Sequence, residues 1–130
     1  MNTKNTYVRH GFGTVRPYLY CHPDVLDCVV QVFGAEEVER SETKKGFHVE
    51  VRIGDSVVAL EIGDYDQVEY VTRSSVYVYV EDVDATYQRA MQLGAISLAE
   101  PTDEPDQERR GGFKDTFGNM WWIGSYKGTK

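Results

Sequence analysis

His48 and Glu61 are the residues of this chain best placed for acid–base chemistry, because the segment between them sets them opposite one another. Gly54-Asp55 has the composition of a two-residue hairpin turn and is flanked by the apolar-rich runs Phe47 to Ile53 and Ser56 to Ile62. Pairing Ile53 with Ser56 leads through Arg52–Val57, Val51–Val58, Glu50–Ala59 and Val49–Leu60 to His48–Glu61. A carboxylate beside an imidazole raises the histidine's pKa and holds its tautomer, which a general base requires. The same two residues can instead anchor a polar ligand, or form a plain cross-strand pair worth under about 1 kcal/mol. Glu50, Arg52 and Arg16 are candidates for an ion-pair network beside them, and an arginine there fixes an anionic ligand only where the carboxylates leave it open.

Side chains alternate across a strand, so each run has two faces. Val49, Val51, Ile53, Val58 and Leu60 share one face, while His48, Glu50, Arg52, Ala59 and Glu61 share the other. The same division separates Pro17, Leu19 and Cys21 from Arg16, Tyr18 and Tyr20, and Val76, Val78 and Val80 from Ser75, Tyr77 and Tyr79. Trp122 falls on the polar and aromatic side, and Trp121 alternates into the core. Tyr18, Tyr20, Tyr77, Tyr79 and Trp122 therefore form either a lining that stacks on a flat or cationic ligand, a self-packed interior, or a dimer interface.

The elements that carry these residues occur twice. Tyr18-Leu19-Tyr20 leads into Pro23-Asp24 and a run ending Phe33-Gly34-Ala35, and sixty residues later Val78-Tyr79-Val80 leads into Val83-Asp84 and a run ending Leu93-Gly94-Ala95. Asp55-Ser56 and Asp115-Thr116 each open an apolar stretch. A repeat of this length implies two equivalent modules sharing one core, residues 14–72 and 73–127, behind an N-terminal arm of residues 1–13. In the first helix Leu26, Val29, Val30 and Phe33 fall at helical spacing, and in the second Val83, Tyr87, Ala90 and Leu93 do so after Asp82 as cap. Val38 to Arg40, Ile96 to Ala99, Phe113-Lys114 and Met120 to Tyr126 read as the remaining strands. Gly63 to Arg73 and Pro101 to Glu108 read as loops, with a lid role open.

The chain has 130 residues, is 41% hydrophobic and carries a formal net charge of −7, which suits one self-sufficient domain and disfavours a phosphate backbone as partner. No nucleic acid and no membrane are expected as partners. The polar start, Met1-Asn2-Thr3-Lys4-Asn5, and the lack of a long apolar run point to the cytoplasm, where Cys21 and Cys28 would stay free thiols.

Phe33-Gly34-Ala35-Glu36, His48 to Ser56, Val80 to Ala85 and Asp115 to Trp121 resemble the glyoxalase/bleomycin-resistance/extradiol-dioxygenase (vicinal oxygen chelate) superfamily, most of all its PhnB-like branch. The resemblance covers residues 14–127. It implies an α+β fold in which two βαβββ modules form a curved mixed sheet, a cup, with the helices on the outer face and the site on the concave one. It also implies a homodimer whose cups lie at or beside the contact. Metal ligands of the family fall near Arg16, Glu61, Ser75 and Trp122, of which Glu61 alone is a credible donor. The expected site is thus metal-free and cofactor-free: Arg16, Tyr18, Tyr20, His48, Glu50, Arg52, Glu61, Ser75, Tyr77, Tyr79 and Trp122 hold a small organic molecule, as in drug sequestration. The alternatives are a metal-dependent lyase or isomerase that recruits His48, His22 or His10, and an assembly protein whose cup is filled by its own side chains.

Overall fold

The computed structural model describes residues 7–11 and 13–128. Residues 1–6 and Phe12 of the expected arm lie outside the described residues. In chain order the elements are β1 (Tyr18–Cys21), α1 (Asp24–Phe33), β2 (Glu36–Glu42), β3 (Gly46–Ile53), β4 (Ser56–Gly63), β5 (Ser75–Tyr79), α2 (Val83–Gln92), β6 (Ile96–Asp103), β7 (Glu108–Lys114) and β8 (Met120–Tyr126). This is βαβββ twice, an α+β fold. Each module closes its own four-stranded mixed sheet, ordered β1-β4-β3-β2 and β5-β8-β7-β6, with β1 parallel to β4 and β5 parallel to β8.

The hairpin register is the expected one throughout, from Ile53↔Ser56 to His48↔Glu61. Of the two turn residues Gly54 takes positive φ, 59°, the pattern of a type II′ turn. Asp82 caps α2 by accepting the Ala85 amide at 3.0 Å, and Gly34 ends α1 at φ 66°.

The core joins both modules. Leu19, Cys21, Val49, Val51 and Leu60 of the first sheet, Val25, Val29 and Val32 of α1, Val83, Tyr87 and Ala90 of α2, and Phe113, Trp121 and Ile123 of the second sheet form one buried cluster. The face of α1 differs from the expected one. Val25, Val29 and Val32 are buried, Leu26 and Phe33 only partly, and Val30 is 37% exposed. The cause is the second module: Phe33 lies against the rings of Phe113 and Trp121, 6.1 and 5.5 Å between centroids, and the Arg89 guanidinium donates to the Val32 carbonyl. Helix α2 departs similarly: Thr86 in its first turn is buried, and Leu93 at its C-terminal end is exposed.

Neither expected loop is a simple lid. Pro101 to Asp103 continue β6, pairing Thr102 with Arg110 and Asp103 with Arg109, so only a tight turn separates β6 from β7. The segment after β4 is pinned by a second apolar cluster of Tyr65, Val71 and Phe117, with Tyr20 and Val68 against it. No helix among the described residues is long and apolar enough to cross a membrane.

Candidate functional site

Strands β3 and β4 carry the charged part of the site. His48 and Glu61, paired across the ladder, bond through Nδ1 and Oε2, while His48 Nε2 meets Glu50 Oε2 at 2.9 Å. With a carboxylate acceptor at each ring nitrogen, both must donate, which only the imidazolium can do. Burial pushes the His48 pKa down, but the hydrogen bonds it donates to Glu61 and Glu50 outweigh that and the net direction is upward. Glu50 is only 4% exposed although it lies on the polar face, and its other oxygen accepts from Arg16 Nη1 at 2.9 Å. The Tyr18 ring stands 5.7 Å from that of His48, and Tyr20 packs edge-on to Tyr65 at 4.9 Å. Arg16, Tyr18, His48, Glu50 and Glu61 are thus brought together as expected, with Tyr20 on the flank. Arg52 is not: it bonds Glu36 on the neighbouring strand and stays exposed.

Strands β5, β7 and β8 carry the aromatic part. Tyr77 donates its hydroxyl hydrogen to Glu108 Oε1, Tyr79 donates to Glu108 Oε2 at 2.8 Å, and Arg110 Nε donates to the Tyr77 oxygen at 3.1 Å. These bonds hold the Glu108 carboxyl below its usual range. Trp122 lies across the ladder from Gly112, where an added Cβ would come within 2.5 Å of the indole, and one on Gly124 would come within 2.0 Å of the Tyr77 oxygen. Two glycines therefore let the rings lie flat on the sheet. Trp121 is fully buried and donates its indole hydrogen to Asp115 Oδ2 at 2.8 Å.

Sequence reasoning missed Glu39, Glu108 and Arg110. Glu39 lies in register with Glu50 after a bulge between Glu37 and Glu39, and a bulge has no reliable signature in residue types. Glu108 and Arg110 were hidden because β7 was expected to begin near Phe113, although alternation from Trp122 through Gly112 would have found them.

The metal positions need correction. In the observed register the residue beside Glu61 is Tyr20, not Arg16, and the residue beside Trp122 is Tyr77, with Ser75 across from Met120. Burial raises the phenol pKa of both Tyr20 and Tyr77, so neither is a ready phenolate, and Glu61 is committed to His48. This donor set does not fit a divalent metal. His10, Glu39 and Glu50 also converge, with donor atoms within 4.8 Å, but Arg9 and Arg16 already hold these two carboxylates.

Two βαβββ modules, a shared helical core and an outward polar and aromatic face define a class, and the sequence agrees with it. Residues 22–123 match the model of the Glyoxalase/Bleomycin resistance protein/Dioxygenase superfamily, and the chain belongs to that superfamily. Among solved structures it is similar to TioX from Micromonospora sp. ML1, at 23% identity over 88% of this chain and 99% of that one, with a TM-score of 0.71. It is also similar to the fosfomycin resistance protein FosX from Mesorhizobium loti (24% identity, 90% and 92% covered, TM-score 0.65) and to TnmS3, an antibiotic binding protein from Streptomyces sp. CB03234 (17%, 88% and 96%, 0.67). At these identities the likeness concerns the fold. Comparison with curated proteins returns no match.

Proposed function

We propose that the protein binds a flat organic molecule without a metal and sequesters it. The observation that carries this reading is the side-chain chemistry at the family's metal positions, where Tyr20, Tyr77 and Trp122 offer ring faces and Glu61 is bonded to His48. Stacking on aromatic faces contributes about 0.5–1.5 kcal/mol per ring beyond the area buried. The relative TnmS3 is an antibiotic binding protein, which supports drug-like ligands as the class to test. A metal-dependent lyase or isomerase would need to break the pairs that hold His48, Glu61, Glu39 and Glu50.

Tyr18 and Tyr79 are exposed, and β1 and β5 are edge strands. Uncovered edges and aromatics favour pairing with a second copy, so the binding form is a homodimer. The motifs at His48 to Ser56 and Asp115 to Trp121 support the PhnB-like branch, and the free thiols Cys21 and Cys28 support a reducing, cytoplasmic setting.

A thermal-shift screen of aromatic drugs, repeated with zinc, nickel and manganese alone, tests the reading. Organic ligands should raise Tm, and a ligand at a hundred times its Kd stabilises by about 2.7 kcal/mol. Metal alone should leave Tm unchanged. A metal shift abolished by Glu61→Gln would establish the enzyme instead.

A further inference from the structure

The N-terminal segment crosses the charged face of the first sheet, and Arg9, His10 and Arg16 tie its described residues there by ion pairs and hydrogen bonds. Arg9 Nη1 donates to both oxygens of Glu39 at 2.8 Å. His10 Nε2 lies 3.1 Å from Glu39 Oε1 and 3.4 Å from Glu50 Oε1, and Arg16 Nη2 donates to the Arg9 carbonyl at 2.9 Å. Among the described apolar residues of the segment, Tyr7 is 80% and Val15 81% exposed, and Val8 is half-buried. His10 also sits at φ 69°, a left-handed conformation that a non-glycine residue keeps only while its contacts hold it. Between segment and sheet lies a cavity of about 320 Å³ whose lining includes Val8, Arg9 and Thr14 from the segment and Arg16, Tyr18 and Glu50. That is the lower end of the size range for small-molecule sites.

We infer that Glu39 and Glu50, in register across β2 and β3, form a subsite for an organic cation, and that Arg9 and His10 occupy it as a built-in competitor which the ligand displaces. This rests on the binding reading above and names its ligand class. The charge balance gives the valence. The His48 imidazolium offsets Glu61, Arg16 offsets Glu50, and Glu39 is left with no partner once Arg9 and His10 withdraw. The subsite therefore takes a monocation, a guanidinium, amidinium or amine on a flat body that can lie against Tyr18. A ligand competing with a docked segment binds with an affinity reduced by the fraction of time the segment is away.

Fluorescence titrations with ethidium, a flat aromatic monocation, and Nile red, a flat neutral dye, test this in the wild type, the double variant Arg9→Ala/His10→Ala, and Glu39→Gln. Removing the competitor should tighten ethidium by about tenfold, since exposed ion pairs are individually weak. Glu39→Gln releases the segment but deletes the charge, so Nile red should tighten in both variants and ethidium in the double variant only. Trypsin cleavage after Arg9, followed by mass spectrometry, should be faster in Glu39→Gln than in wild type. Equal ethidium affinity in wild type and double variant, an ethidium gain in Glu39→Gln matching that of the double variant, or equal cleavage rates would overturn the inference. Binding of Nile red with no ethidium binding in any variant would overturn it and leave the metal-free binding reading standing. Binding of neither dye to any of the three would overturn both.

Discussion

The two modules share a topology and divide the chemistry between them. Matching aspartates show how. Asp55 lies in the two-residue turn between β3 and β4 and is exposed. Asp115 lies at the same place in the repeat, but the turn to β8 is longer, and its buried carboxylate gathers the turn. Oδ1 accepts the amides of Phe117, Gly118 and Asn119 at 2.9–3.0 Å, and Oδ2 accepts from the Asn119 amide group and the Trp121 indole. The polar faces diverge too. The first concentrates charge in His48, Glu50 and Glu61, whereas the second lays Tyr77 and Trp122 over Gly124 and Gly112. The two modules share the backbone arrangement that builds their joint core and differ in the residues they turn outward.

The largest expected effect separates the two aspartates. Asp115→Ala leaves several buried donors unsatisfied and should cost about 4 kcal/mol in urea unfolding, while Asp55→Ala should stay within about 0.5 kcal/mol. Comparable losses in both would mean that the turns do equivalent work and that the contrast is false.

A smaller effect is expected on the aromatic face. Gly112→Ala puts a methyl group where the Trp122 indole lies, and displacing that ring should cost about 1–3 kcal/mol with a change in tryptophan emission. Ala59→Gly, on the opposing module's polar face, should leave emission unaltered. An unchanged spectrum in Gly112→Ala would show that Trp122 does not rest on the sheet.

The smallest effect is the pH dependence of the charged face. The folded pKa of His48 lies above its unfolded value near 6.5, so its stabilisation is complete below about pH 6.5 and is lost as the pH rises through the folded value. His48→Gln should therefore flatten stability against pH in that window. A slope identical to that of the wild type would remove His48 from the carboxylate pair.

Much of this was legible in the residues. The turn Gly54-Asp55 predicted the β3–β4 pairs from Ile53–Ser56 to His48–Glu61, the alternation of side chains separated Trp121 from Trp122, and Asp82 and Gly34 marked helix ends. Each rests on a rule that acts between near neighbours: a period of two, a cap three residues away, a turn that admits few residue types. What only the tertiary structure decided involves partners distant in sequence. The rotation of α1 depends on Phe113 and Trp121, which take Phe33 and leave Val30 outside. Arg52 is drawn away by Glu36, Tyr20 replaces Arg16 beside Glu61, and Glu50 is buried by a segment forty residues earlier in the chain. Periodicity says that a helix has an apolar face or a sheet a polar one. Which neighbour meets that face is a competition among all the surfaces the folded chain brings within reach, and it is resolved by packing and charge together.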